Sequence, residues 1–308
     1  MATQPIAAVL DVAHVHDRLG APSRLFDYWE LTKPDINFLI AITTAAGFWM
    51  STAATVREFP WISLLHTLLG TVVVASAAAT LNQLIERRYD ARMRRTVRRP
   101  LASGRILPSH ALWFGVVLSV LGVAYLAIST NALAAFLAAL TLLSYLFLYT
   151  PLKRITPLCT VVGAIPGAAP PLIGWAAARG RLDPEAWGLF AIVFLWQFPH
   201  FMSIAWMYRE DYARAGYLVL PPGENRNRFV SWQAVSASAV LLVVGLMPAI
   251  SGLSGLVYAG GALALGGVFL HYSVRFAIYR TNVAARHLLL VSILYLPLIF
   301  ALLMLDKT

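Results

Sequence analysis

Asn82, Glu86 and Asp90 stand four residues apart in the run Asn82-Gln-Leu-Ile-Glu86-Arg-Arg-Tyr-Asp90, and seven arginines lie between Arg87 and Arg99. On a helix, residues four apart share a face and eight residues rise ~12 Å. Two carboxylates and a carboxamide then line one stripe. Oxygen donors of this kind suit Mg²⁺, which keeps waters and binds through one or two carboxylates plus substrate phosphates. The arginines behind them are cations for an anion. A solvated helix end whose acids pair with neighbouring arginines has the same spacing, so the spacing alone does not separate the two readings.

Three other stretches carry polar groups that can do chemistry. Tyr149-Thr-Pro-Leu-Lys153-Arg154 offers a point charge and a planar fork for a diphosphate, although the same cations serve as topology anchors. Trp196-Gln-Phe-Pro-His200-Phe201 puts a histidine inside an apolar span, free to make a structural hydrogen bond, ligate a metal, contact a carboxylate or move a proton. Tyr208-Arg-Glu210-Asp211-Tyr212 offers Asp211 as a second metal station, with Glu210 beside it. A diphosphate held by Mg²⁺ and basic side chains is a leaving group, because both stabilise the charge that develops as carbon–oxygen bonding is lost.

The elements that must position these groups are membrane helices. The chain has 308 residues, 59% of them hydrophobic and only 12% charged, about half the charged share of a soluble domain. Apolar spans of the length that crosses a ~30 Å hydrocarbon core fall near 36–54, 61–85, 109–129, 131–150, 157–178, 186–208, 229–250, 252–274 and 285–305. The expected fold is therefore all-α, a polytopic bundle of about nine transmembrane helices over residues 36–308, preceded by a cytoplasmic segment, 1–35. The split between 109–129 and 131–150 rests on Ser129-Thr-Asn131 alone. Inside the fifth span, Gly163-Ala-Ile-Pro-Gly-Ala-Ala-Pro-Pro171-Leu-Ile-Gly174 predicts either close helix packing or a broken helix lining a cavity.

Charge sets the orientation. Twenty lysines and arginines fall on the N-terminal segment and the even-numbered loops, against four on the other side. Positive charge collects in the cytoplasm, so the N-terminus and all the polar stretches are expected there and the C-terminus outside. The net charge of +10 thus reads as topology and lipid contact rather than nucleic-acid binding. Asp11, Asp17, Asp27, Glu30 and Asp35 argue against a signal or transit peptide. The lone Cys159 makes no internal disulfide.

In these residues the chain resembles the UbiA-type intramembrane prenyltransferases, whose Asn-x-x-x-Asp-x-x-x-Asp motif matches Asn82, Glu86 and Asp90, with Glu for the commoner Asp. More narrowly it is similar to the protohaem IX farnesyltransferase branch. That likeness runs in order through Leu31-Thr-Lys33-Pro34, Asn82 to Leu101, Tyr149 to Arg154, Pro166 to Trp175, Trp196 to Phe201 and Glu210 to Gly216. Many members of the wider family carry a second acidic pair; here positions 207 and 215 are Met and Ala, so Asp211 has no carboxylate four residues away and the second metal ion stays open.

The resemblance implies helices around a central cavity in a bacterial cytoplasmic membrane. It implies farnesyl diphosphate and haem B as substrates, and Mg²⁺ on Asn82, Glu86, Asp90 and Asp211. By the same resemblance Lys153, Arg154 and Arg98 meet the diphosphate, the Tyr149 ring faces a prenyl cation, and His200 touches haem at iron or propionate. A haem A synthase or terminal-oxidase assembly factor is the implied partner. The rival readings are prenyl transfer to an aromatic quinone precursor and, from another class, transport of a phosphorylated metabolite.

Overall fold

The computed structural model describes residues 24–52 and 58–308; the first 23 residues of the expected cytoplasmic segment and the end of the span 36–54 lie outside them. Among the described residues the architecture is all-α. A short α1 (Arg24–Leu31) precedes α2 (Pro34–Ser51), the 30-residue α3 (Trp61–Asp90) and α4 (Pro108–Ser129). Next, α5 (Ala132–Ser144) runs on through a π-helical turn, Tyr145–Tyr149, and Thr150–Leu152. The pair α6 (Cys159–Ala168) and α7 (Pro170–Arg179) is followed by α8 (Pro184–Met207) and the seven-residue α9 (Arg209–Ala215). The chain ends with α10 (Asn225–Val244), a short α11 (Met247–Ile250), α12 (Leu256–Tyr279) and α13 (Asn282–Leu305).

Eight segments of these helices are long and apolar enough to cross a membrane. They match eight of the nine expected spans. The remaining one corresponds to α2, an 18-residue helix that opens on Asp35 and Asn37 and packs against α3, α7 and α13. Large apolar side chains point outward along the bundle, Ile128 at 87% exposure and Leu256 at 89% among them. In water such a surface drives association; around a bundle of spans it is the face that meets lipid tails. The protein is an integral membrane protein.

Local chemistry sets the boundaries. Pro34, Pro108, Pro170 and Pro184 sit in the first turns of their helices, where a missing N–H costs nothing. Asn131 makes the insecure split real: its side chain caps α5 through Ala134 N at 2.9 Å and donates to Ala176 O at 2.8 Å across the bundle. The fifth span runs on through Ala169, which joins α6 to α7 with helical angles, φ −69° and ψ −26°. Glycines on both helices bring α7 and α2 together: a Cβ on Gly174 would lie 2.0 Å from Thr44 O, and one on Gly47 would lie 2.1 Å from Pro171 O. Helices α2 and α7 thus touch main chain to main chain, as small residues allow in membranes.

The polar stretches interlock at one end. Arg105 bridges Asp27 at 2.7 Å and Glu30 at 3.0 Å, and Gln83 donates to Leu31 O at 2.9 Å, so α1 is tied to the loop after α3. Leu218 N donates to Lys153 O at 2.7 Å. Met93, Ala215 and Tyr217 form a small apolar cluster with Tyr89 and Tyr212 beside it. The segments around 88–92 and 209–214, which share a faint sequence echo, therefore meet in space.

Candidate active site

The carboxylate stripe is buried. Asn82 is 1% exposed, Glu86 6% and Asp90 1%, all in the last turns of α3. Charged groups at this depth need partners. Each has one from a different segment. Lys153 Nζ donates to Glu86 Oε1 at 2.7 Å. Arg99 Nη1 donates to both oxygens of Asp90, at 3.0 and 2.9 Å. Lys33 Nζ approaches Asn82 Oδ1 at 3.4 Å, while Asn82 Nδ2 donates to Thr150 Oγ1 at 3.1 Å. One helix face thus alternates oxygen donors with ammonium and guanidinium groups from the cap before α2, the loop after α3 and the cap that follows Leu152.

The positions of the cations follow from backbone features. Lys33 has φ 52°, in the left-handed region that costs a non-glycine residue ~1–3 kcal/mol. Such strain persists only where surrounding contacts hold it. Burial, reinforced by Arg99, pushes the Lys33 ammonium down to about 7. Lys153 follows the π turn, a widening that favours functional sites and that here precedes Thr150. Burial alone would lower the Lys153 ammonium, but the Glu86 carboxylate overrides it and holds it well above the usual lysine range. Its Nζ lies 4.5 Å from the Tyr149 ring centroid, so one face of that ring already meets a cation. Gly163 makes room for the ring; a Cβ there would come within 2.4 Å of it.

The other expected residues divide. Arg154 turns to Tyr89, with Nη1 2.7 Å from the hydroxyl and the guanidinium 4.9 Å from the ring centroid. The Arg98 side chain is exposed and its carbonyl accepts from Arg105 at 2.8 Å; the guanidinium that closes on the stripe belongs to Arg99. Asp211 is buried in α9 and pairs with Arg214 at 3.2 Å. His200 lies on α8 against α13, its Nδ1 2.8 Å from Ser292 Oγ.

Sequence reasoning missed Thr150, Tyr217 and Ser292. Tyr217 is 5% exposed, and its hydroxyl, buried beside Glu86, meets no partner at full hydrogen-bond geometry. Burial, then the nearby Glu86 carboxylate, push that hydroxyl well above the usual phenol range. The only sequence signal was its place after Gly216, whose φ of 79° turns the chain back toward the stripe.

A divalent cation fits this donor set in kind. The stripe supplies hard oxygen donors on one face, and that suits an ion which takes its remaining ligands from water and phosphate. Among the described residues no three His, Cys, Asp or Glu side chains form a ready-made cage. The three cations could complete the opposite half, a binding surface for a diphosphate.

Residues 40–303 match the model of the UbiA prenyltransferase family. The chain is 51% identical over 287 residues to a protoheme IX farnesyltransferase of Solibacter usitatus, covering 91% of this chain and 98% of that protein. Its fold is similar to that of a digeranylgeranylglyceryl phosphate synthase, with TM-score 0.73 at 17% identity over 92% of this chain and 98% of the other. It is also similar to a UbiA homolog from Archaeoglobus fulgidus bound to GPP and Mg²⁺, with TM-score 0.60 at 17% identity over 90% of this chain and 99% of that one.

Proposed function

Because the chain belongs to the UbiA prenyltransferase family, we propose that it moves a farnesyl group from farnesyl diphosphate to a vinyl group of haem B, giving haem O. The observation that carries this reading is the buried stripe of Asn82, Glu86 and Asp90 faced by Lys33, Lys153 and Arg99, an anion-and-cation site inside an apolar bundle. The choice of acceptor is supported by the half-identical, nearly full-length protoheme IX farnesyltransferase.

The residues divide the work. Asn82, Glu86 and Asp90, with Asp211 as a further oxygen donor, would hold Mg²⁺, which would supply charge neutralisation for the departing diphosphate. Lys153 and Arg99 give hydrogen bonds to phosphate oxygens, Arg99 through its fork and Lys153 as a point charge. Lys33 adds a third cation, and Arg154 a fourth at the rim. The allylic C–O bond breaks with its electron pair leaving on the diphosphate. The vinyl π electrons then form the new C–C bond, and water adds to the resulting cation and loses a proton. Tyr149 offers its ring to the allylic cation once Lys153 has swung to phosphate. The apolar helices keep water from the cation before the vinyl group arrives.

The loop charge bias supports the N-terminus and the site on the cytoplasmic side and the C-terminus outside, and the bacterial relative supports a bacterial cytoplasmic membrane. Haem O is too apolar to be released to water, which favours transfer to a membrane-bound haem A synthase or oxidase assembly factor.

The test is purified protein in nanodiscs with haem B, farnesyl diphosphate and Mg²⁺, products read by mass. Farnesylated haem is expected. Prenylation of an aromatic acid with no haem product would refute the choice of acceptor. Uptake of a phosphorylated solute without covalent product would refute the enzyme class.

A further inference from the structure

The seam between α10 and α12 is closed along most of its length. Ser238 Oγ and Ser273 Oγ lie 2.7 Å apart, both buried, and a Cβ on Gly266 would come within 2.6 Å of the Leu242 side chain. Nearer the helix ends, Ser231 Oγ donates to Ala277 O at 3.1 Å. Around that contact the seam opens into a groove of about 720 Å³, lined by Asn227, Arg228, Trp232 and Arg280, with Glu224 at its lip. Small-molecule sites commonly have this size, ~300–1,000 Å³.

These pairs fix an antiparallel register. Arg228 stands three residues before Ser231 and Arg280 three after Ala277, so each lies ~4.5 Å beyond the serine contact, at one level. Among the described residues neither guanidinium has a hydrogen-bond or ion-pair partner. Arg280 has φ 48°, where glycine or asparagine is the ordinary choice, so backbone preference does not account for an arginine. The groove lies at the end of the bundle that carries the carboxylate stripe. Arg209 of α9 donates to Asn282 Oδ1 at 3.0 Å, and the residues that close α9 pack with Met93 and Tyr89. On the same face of α10, Trp232 is 70% exposed and Val243, three turns deeper, 67%. Tryptophan marks the headgroup level of a bilayer, and the apolar strip below it meets acyl chains.

We propose that this groove binds the phosphodiester headgroup of an anionic phospholipid. Arg228 and Arg280 present their planar forks to the phosphate oxygens, Asn227 adds an amide donor, and the acyl chains run down α10 past Trp232 and Val243. Two guanidiniums against the single carboxylate of Glu224 leave the groove positive, which favours a headgroup of net negative charge over a zwitterion. Basic pockets between transmembrane helices take anionic headgroups by this chemistry. The bound lipid ties α10 to α12 beyond the Ser231–Ala277 bond. The headgroup site is independent of the acceptor that the active site prenylates.

The experiment titrates the full-length protein in neutral detergent with phosphatidylglycerol, bound lipids counted by native mass spectrometry. Wild type is expected to retain one phosphatidylglycerol in preference to phosphatidylcholine. The double variant Arg228→Gln/Arg280→Asn should weaken that step about 25-fold, about fivefold for each arginine. Asparagine tolerates the left-handed φ at 280, and thermal melts of the lipid-free protein should match wild type. Arg92→Gln/Arg94→Gln removes the same charge from exposed arginines of the loop after α3 and should leave the step unchanged. Glu224→Gln removes a like charge from the lip and should tighten it. Equal losses in the two double variants overturn the site, because the attraction would then belong to the whole basic face. Phosphatidylcholine held as firmly as phosphatidylglycerol, or no tightening in Glu224→Gln, overturns the electrostatic selection. Displacement of the lipid by an equal concentration of glycerol 3-phosphate overturns the lipid assignment, since the groove would then take free phosphate.

Discussion

Replacing Lys153 by Met tests whether its ion pair with Glu86 is scaffold, chemistry or both. The atoms are 2.7 Å apart, and the side chains are 14% and 8% exposed. At an effective dielectric of about 20 the gross attraction is about 6 kcal/mol. Much of that is offset by desolvation, but removing one partner strands a buried carboxylate and costs about 3–5 kcal/mol. Lys153→Met should therefore lower unfolding free energy by about that amount, read by denaturant titration in one detergent. Removing both charges with Lys153→Met/Glu86→Gln leaves no stranded charge, and stability should return to within about 1 kcal/mol of wild type. Activity should not return with it. A lost donor to a developing anion costs about 10²–10³ in kcat, so turnover by product mass should stay down in both variants. A double variant that regains turnover along with stability would refute the reasoning, because Lys153 would then serve only to neutralise Glu86. A single variant as stable as wild type would refute the electrostatic premise.

Arg99→Leu breaks the bidentate pair with Asp90 and should cut turnover at least tenfold, whereas the exposed Arg98→Leu should stay within twofold; equal losses would contradict the geometry. Chelation by EDTA should abolish product formation and added Mg²⁺ should restore it, with full activity in EDTA refuting the metal assignment. Gly174→Ala drives a Cβ to 2.0 Å from Thr44 O and should destabilise by at least about 1–3 kcal/mol, while Gly188→Ala, with nothing within 4 Å, should be neutral or stabilising by up to ~1 kcal/mol in thermal melts. Tyr217→Phe removes a buried hydroxyl that meets no partner at full hydrogen-bond geometry, so stability should hold or rise in thermal melts; a loss above about 1 kcal/mol would show that the hydroxyl donates to Glu86.

What the sequence made legible was periodic. Spans announce themselves by length, and the stripe of Asn82, Glu86 and Asp90 by its four-residue spacing, because a helix converts spacing into a shared face without help from the rest of the fold. The split at Asn131 was legible for a local reason too, since a capping Asn acts within a turn of where it sits.

What escaped was the choice of partner. Arg98 and Arg99 are adjacent and chemically identical, and they lie in an irregular stretch where no period says which way each points. Thr96 Oγ1 donates to Asp90 O at 2.9 Å and folds this loop back on the helix end, and that fold hands Asp90 to Arg99. Lys33 reaches Asn82 across 49 residues and Ser292 reaches His200 across 92; neither pairing leaves a local trace. A buried carboxylate demands a cation, yet the demand does not name one. The bundle decides it by which helix ends it gathers at one face, and the residues that tune the site are therefore those sequence spacing is least able to find.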